Sequence, residues 1–287
     1  NPMRERQWLP QAFNGHKIAV MGMGPAGFTM AYHLLMEGCA VVGLDGQAMT
    51  PMPETWLQPI YNYQSIKQSL PNRDSIGFGG VAEYGITARW DKNLLSIIRL
   101  VLQRHKNFQC YSSVRFGGNW QLSDAWAQGF SHVVLAVGAG LPNVPNIPGS
   151  LAPGMRTAND FLMALHLGLA AQPDGNSSLE VRLPAVVIGA GLTAIDTATE
   201  LQAYYLLLIE RVLNKYESEY ASRHVEFAKQ FSVQELSHVM QWLEHARMLR
   251  SEKKQAINEM RAPDLIKLLH IWGGVTIVYR RSLQEAP

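Results

Sequence analysis

The chain has 287 residues, of which 47% are hydrophobic and 17% charged, with a formal net charge of +2. This is the composition of a globular protein, long enough for one large domain or two of ordinary size. The near-neutral balance offers no nucleic-acid footprint, and no apolar run is long enough to span a membrane.

The opening NPMRERQWLPQAFNGHK does not begin with Met and lacks the apolar core of a signal peptide. It reads as a lead-in cut from something longer. Lys17 to Asp45 then organises the chain. Lys17–Met21 suits a buried parallel strand, and Gly22-x-Gly24-x-x-Gly27 follows it at once. The apolar spacing of Ala26 to Glu37 predicts a helix, which Gly38 ends. Ala40–Leu44 is a second strand, closed by Asp45. In such a unit Gly22 permits the tight turn, Gly24 lets a pyrophosphate approach the backbone, and Gly27 lets helix and strand pack closely. The helix N-terminus offers unpaired N–H groups to phosphate. Asp45 stands where a carboxylate can accept hydrogen bonds from a ribose.

Residues 46–75 are rich in Pro and polar residues and predict a long loop with one short helix. A glycine-dense stretch, 77–90, comes next. It suits backbone approach to a flat ligand or a surface loop. Asp91 is placed to cap a helix over 92–103. Phe108–Val114 and Trp120–Leu122 predict short strands, and His132–Val137 a buried one that ends in Gly138-Ala139-Gly140. Pro142, Pro145 and Pro148 stiffen a connection that marks the expected domain boundary near residue 150. Asn159 and Asp160 should start another helix.

The opening pattern then recurs. Ala185–Ile188 reads as a strand, Gly189 to Ala194 as a turn, and Ile195–Leu206 as a helix. The next apolar strand, Val275 to Tyr279, arrives only after a helical insertion at about 203–272 and ends in Arg280 and Arg281. Ser232 and Glu235 have the spacing of a capping box in that insertion. Asp45 would repel a 2′-phosphate, whereas Arg280 and Arg281 can grip one, which predicts NADPH rather than NADH for the second unit. The alternative is a pair of surface arginines. Asp196 either tunes the nicotinamide side or merely sits near a helix start. The histidines of the insertion, His224, His238, His245 and His270, show no metal-ligand spacing. Cys39 and Cys110, the only cysteines, form no CxxC pair and cannot by themselves ligate an iron–sulfur cluster. They point to a reducing, cytoplasmic setting.

Taken together, GMGPAG at 22–27, GFGGVAEYGITARW at 77–90, LAVGAG at 135–140, GAGLTAIDTA at 189–198 and VTIVYRR at 275–281 resemble the FAD- and NADPH-binding region of the glutamate synthase small-subunit family. That group includes the flavin domain of dihydropyrimidine dehydrogenase and, more distantly, adrenodoxin reductase. The resemblance implies an α/β fold of two Rossmann-like modules, residues 1–150 for FAD and 151–287 for NADPH. It places Gly22, Gly24, Pro25, Ala26 and Gly27 on the FAD pyrophosphate and Asp45 on its ribose. Gly79, Gly80 and Arg89 fall on the flavin side, Val114 near adenine, and Gly138 near the pyrophosphate. Gly189, Ala190, Gly191, Leu192 and Thr193 would cradle NADPH, with Arg280 and Arg281 on its 2′-phosphate. The implied activity is hydride transfer from NADPH to FAD, with electrons passed to an iron–sulfur domain or subunit. No catalytic side chain is needed for that first step, and no metal ligand is expected.

The departures from that family are Asp45 where it usually has Glu, a longer loop after it, and the 203–272 insertion. The strand and glycine-aspartate motif that close the family's FAD site are missing, so the C-terminal part of the FAD domain is expected elsewhere. The competing expectation is a flavoprotein-derived scaffold or docking module without turnover. Apolar positions of the insertion, Leu206 to Leu213 with Val239, Leu243, Leu265 and Leu268, would pack as a helical hairpin or small bundle. Any face left over would be a docking surface for a partner or a second copy of the chain.

Overall fold

The computed structural model describes residues 9–72, 78, 93–139, 141–173, 175 and 179–285. The chain divides into two compact units, Asn1–Leu169 and Ala170–Pro287. The division therefore falls after the helix that follows the proline-rich connection, not at the prolines near residue 150.

The first unit is built on a parallel sheet. Strands β1 (Lys17–Met21), β2 (Ala40–Leu44), β3 (Phe108–Tyr111) and β4 (His132–Leu135) lie in the order β3-β2-β1-β4. Lys17 pairs with Ala40 and Met21 with Leu44, so β1 and β2 end together. Alternate residues serve opposite faces, as a sheet covered on both sides requires. Ile18, Val20, Val41 and Phe108 pack with Ala31 and Leu35 of helix α1 (Pro25–Met36) and with Leu102 of a later helix. Ala19, Met21, Val42 and Leu44 pack with Trp120, Ala125 and Phe130 on the other side. Gly38 ends α1 as expected. It takes φ +85°, and the Cys39 N–H reaches back to the Leu34 carbonyl at 3.0 Å.

The loop after β2 carries a short helix, α2 (Glu54–Leu57), and 3-10 turns at 63–66 and 70–72. It is pinned from helix α3 (Leu94–Gln103). Asn93 accepts from the Gln68 N–H at 2.7 Å and donates to its carbonyl at 3.2 Å, while Arg104 donates to the Trp56 and Gln58 carbonyls. Asp91, the expected cap of α3, lies outside the described residues. Trp120–Leu122 is not a strand. Trp120 makes an isolated bridge with Phe116, and helix α4 (Leu122–Ala127) begins at once. Gln121 caps it, its backbone N–H held by Asp124 at 2.7 Å. Helix α5 (Ala158–His166) starts at Thr157, whose hydroxyl accepts from the Asp160 N–H.

The second unit holds a parallel pair, β5 (Ala185–Ile188) and β6 (Val275–Val278). Val187 of β5 packs on Ala194 and Ala198 of the helix that follows it, with Val275 beside them. The predicted helix ending at Leu206 instead runs on as α6 (Leu192–Glu219). No glycine or proline interrupts 192–219, so the helix continues into the insertion. Short α7 (His224–Ala228) leads to α8 (Val233–Asn258), which opens with the predicted Ser232–Glu235 capping box. Helix α9 (Leu265–Ile271) follows. Tyr205, Ile209 and Leu213 of α6 are buried, as are Val239, Leu243, Ala246 and Leu249 of α8 and Leu268 of α9. Lys253–Glu210 at 2.6 Å and Arg250–Glu217 at 2.7 Å tie α8 to α6. Of the two expected forms of the insertion, α6 and α8 make the helical hairpin.

Candidate functional site

Both glycine turns sit where a parallel strand feeds a helix. In the first, Gly22 has φ +87°, and a Cβ there would meet the Ala136 carbonyl oxygen at 2.2 Å. At Gly27 a Cβ would meet the Gly22 carbonyl oxygen at 1.8 Å. These two glycines are thus required by the fold of the turn itself. Gly24 is the N-cap of α1 and Pro25 opens it; Pro25 and Ala26 are exposed. The first turn of α1 contains no acidic side chain. Its free N–H groups and positive dipole end therefore remain available to an anion.

Asp45 closes β2, as predicted, but its carboxylate faces inward. Only 3% of the residue is exposed. Oδ2 accepts the Met23 N–H at 2.9 Å, and Oδ1 accepts the Gln47 N–H at 2.8 Å. Its own N–H donates to the Tyr111 carbonyl, and its carbonyl accepts from the Val114 N–H at 2.9 Å. Val114 is half-buried against the Trp120 side of the sheet. Gly138 follows β4 at φ +80° and is exposed. Gly79, Gly80 and Arg89 lie outside the described residues.

Met23 was not among the residues singled out from the sequence, yet it holds the turn together. It is fully buried, and a Cβ on Gly43 would meet its sulfur at 2.6 Å. The signal was available. A glycine inside a strand marks a close approach, and Gly43 makes room for Met23.

The second turn is looser. Gly189 has φ +126°, and its N–H donates to the Val278 carbonyl at 2.8 Å. A Cβ on Gly191, the N-cap of α6, would meet nothing within 4 Å. Ala190 and Thr193 are half-buried and Leu192 is exposed. Ala194 takes the place that Gly27 holds in the first turn. A Cβ on Gly189 would meet the Ala194 methyl only at an ordinary 3.7 Å, so alanine fits here. The first turn of α6 also lacks acids; Asp196 is buried one turn further in. Arg280 and Arg281 are exposed just beyond β6, the strand bonded to this turn. They make no ion pair among the described residues.

The cysteines offer no redox pair. Cys39 is buried, and Asn14 Nδ2 lies 3.4 Å from its sulfur. Burial pushes the Cys110 thiol up to about 12, against the opposing pull of Arg99. No group of metal-ligating side chains occurs among the described residues, and no helix among them is long and apolar enough to cross a membrane.

A family profile for pyridine nucleotide-disulphide oxidoreductases matches residues 16–245. The chain belongs to the pyridine nucleotide-disulphide oxidoreductase family. This family lies in the same broad superfamily to which the sequence resemblance pointed. An uncharacterised protein of Rickettsia prowazekii (strain Madrid E) is 38% identical over 288 residues, which take in all of this chain and 38% of that protein. The chain thus spans well under half the length of this relative. Among solved structures, the 6-hydroxypseudooxynicotine amine oxidase HisD of Pseudomonas geniculata N1 matches 68% of this chain and 24% of its own, at 20% identity and a TM-score of 0.39. That likeness is too slight to carry an argument.

Proposed function

We propose that the chain is the FAD- and NADPH-binding region of an electron-transferring oxidoreductase similar to the glutamate synthase small subunit. The observation that supports this best is the recurrence of one arrangement: a parallel strand, a glycine turn and a helix whose first turn carries no acid, found at Gly22–Gly27 and again at Gly189–Ala194. Each offers an anion-binding helix terminus of the kind a dinucleotide pyrophosphate needs. In this reading the first turn holds FAD and the second, with its open space at Gly191, holds NADPH. Arg280 and Arg281 supply the 2′-phosphate contact, because the Gly189–Val278 hydrogen bond anchors the turn to the strand that leads into them.

A bound flavin supplies the hydride-accepting chemistry; the protein binds, orients and shields. The chain's own residues hold two pyrophosphates and discriminate one nicotinamide nucleotide from the other. The proposed partner is an electron-accepting iron–sulfur domain or subunit. Two cysteines, one with its thiol near 12, leave no internal thiol relay. The Rickettsia relative carries more chain than it shares with this protein, so further domains have room there.

A docking module without turnover is the second reading. It is favoured by the end of the hairpin, where Met260 is 96% exposed at φ +52° and Ile257 and Ile266 are exposed beside it in sequence. Reconstitution with FAD separates the two. The oxidoreductase reading expects a flavin band near ~450 nm that NADPH bleaches without oxygen. A chain that takes up no FAD, or holds FAD that NADPH leaves oxidised, would favour the docking module.

A further inference from the structure

Resting on the dinucleotide reading of the first turn, we propose that Asp45 is a positioning residue. It holds the Gly22–Gly27 turn in its pyrophosphate-accepting shape by binding the Met23 amide, and it is not the ribose acceptor that its place in the sequence suggests.

Three observations carry this. First, the carboxylate is turned into the protein: the residue is 3% exposed, and each oxygen accepts a backbone N–H within 2.9 Å. Charge-assisted bonds of this kind are the strong ones. Second, the N–H held by Oδ2 belongs to the residue between the first two glycines. Met23 is held from both sides, its amide by Asp45 and its buried side chain against Gly43. The neighbouring Gly22 N–H donates to the Leu44 carbonyl at 2.7 Å, so β2 and its closing acid fix two successive amides of the turn. Third, Asp is one methylene shorter than Glu. Its carboxylate stays against the main chain of its own strand end and of the neighbouring turn instead of reaching outward to a sugar.

The test uses two nucleotides and one amide. Titration calorimetry would measure ADP and 2′,3′-dideoxy-ADP binding to the wild type, Asp45→Asn and Asp45→Glu. Hydrogen exchange at the Met23 amide would be followed with no nucleotide present. The wild type should prefer ADP by less than about threefold, because losing a charged hydrogen bond would cost about tenfold or more. Asp45→Asn should weaken both nucleotides by the same factor, about tenfold or more, and speed Met23 exchange by a similar factor. Asp45→Glu should weaken binding as well, since a carboxylate displaced by one methylene cannot keep the same bonds to both the Met23 and Gln47 amides.

A preference of about tenfold for ADP in the wild type, a measurement that needs no variant, would overturn the proposal. So would unchanged Met23 exchange in Asp45→Asn, or wild-type affinity in Asp45→Glu. A wild type that binds neither nucleotide would instead overturn the dinucleotide site itself, and the positioning role with it.

Discussion

The Tyr205 hydroxyl lies 2.6 Å from Nδ1 of His245, across the buried seam between α6 and α8. The imidazole stacks on Trp272 with ring centroids 4.5 Å apart and 11° between planes. Burial keeps the Tyr205 phenol well above its ordinary range, so it remains a donor at neutral pH. Burial also lowers the proton affinity of His245, with a smaller opposing pull from Glu244. A neutral imidazole accepting at Nδ1 is the form this seam stabilises.

Tyr205→Phe should therefore destabilise the chain by about 1–3 kcal/mol, because it strands a buried acceptor. The pH dependence has a definite sign. An unfolded histidine takes up a proton near pH ~6.5, and the folded site resists it, so the contribution of His245 is full above that pH and is lost as the pH falls below it. Urea midpoints measured from about pH 8 to about pH 5.5 should fall more steeply in the wild type than in His245→Asn. Parallel slopes would remove the neutral-imidazole assignment.

The glycines of the two turns make opposite predictions. A Cβ at Gly27 would stand 1.8 Å from the Gly22 carbonyl oxygen, so Gly27→Ala must push α1 away from β1. An overpacking cost of about 1–3 kcal/mol or more is expected, seen as a lower urea midpoint without any ligand. At Gly191 a Cβ meets only open space and the backbone has an ordinary negative φ. Gly191→Ala should leave the unfolding midpoint nearly unchanged and weaken nicotinamide nucleotide binding alone. Loss of fold in Gly191→Ala, or unchanged nucleotide affinity, would contradict the use proposed for that space.

What the sequence made legible were the elements governed by local rules. The strand–turn–helix–strand run from Lys17 to Asp45, the Gly38 cap and the Ser232–Glu235 box all depend on near neighbours, and all appear. Trp120–Leu122 failed because three residues cannot distinguish strand from helix start, and Gln121 is an unusual cap. The end of α6 differs from the expectation for a related reason: residues 206–219 hold no stop signal, so nothing local ends the helix at Leu206. Direction was the hardest feature. Asp45 closes the strand as expected, but its carboxylate turns inward onto the Met23 and Gln47 amides, contacts that the order of residues does not display.

Cys110 provides a third prediction. Its thiol is held near 12 by burial, so almost none of it is thiolate at neutral pH. Alkylation requires the thiolate. In the native chain, iodoacetamide at about pH 8 should modify Cys110 at least tenfold more slowly than in urea, by intact mass over time. Cys39, buried beside Asn14, should be similarly protected. Rapid native labelling of either thiol would reopen a thiol-based redox role.

The last prediction concerns nucleotide choice. Arg280 and Arg281 are exposed and make no ion pair among the described residues, so replacing them should cost the fold little. They lie two and three residues beyond Val278, whose carbonyl holds the Gly189 amide of the second turn. NADPH and NADH differ there only by the 2′-phosphate. A guanidinium bonded to that phosphate contributes about 1.5–3 kcal/mol, which is roughly ten- to a hundredfold in affinity. Arg280→Ala with Arg281→Ala should thus weaken NADPH by at least that factor while leaving NADH within about threefold. Raising the salt concentration should narrow the wild-type preference, because exposed charges are screened. Arg280→Lys with Arg281→Lys should recover part of the preference, since the charge returns without the forked geometry. Equal losses for both nucleotides would mean that the two arginines act on something common to them, and the 2′-phosphate assignment would be wrong.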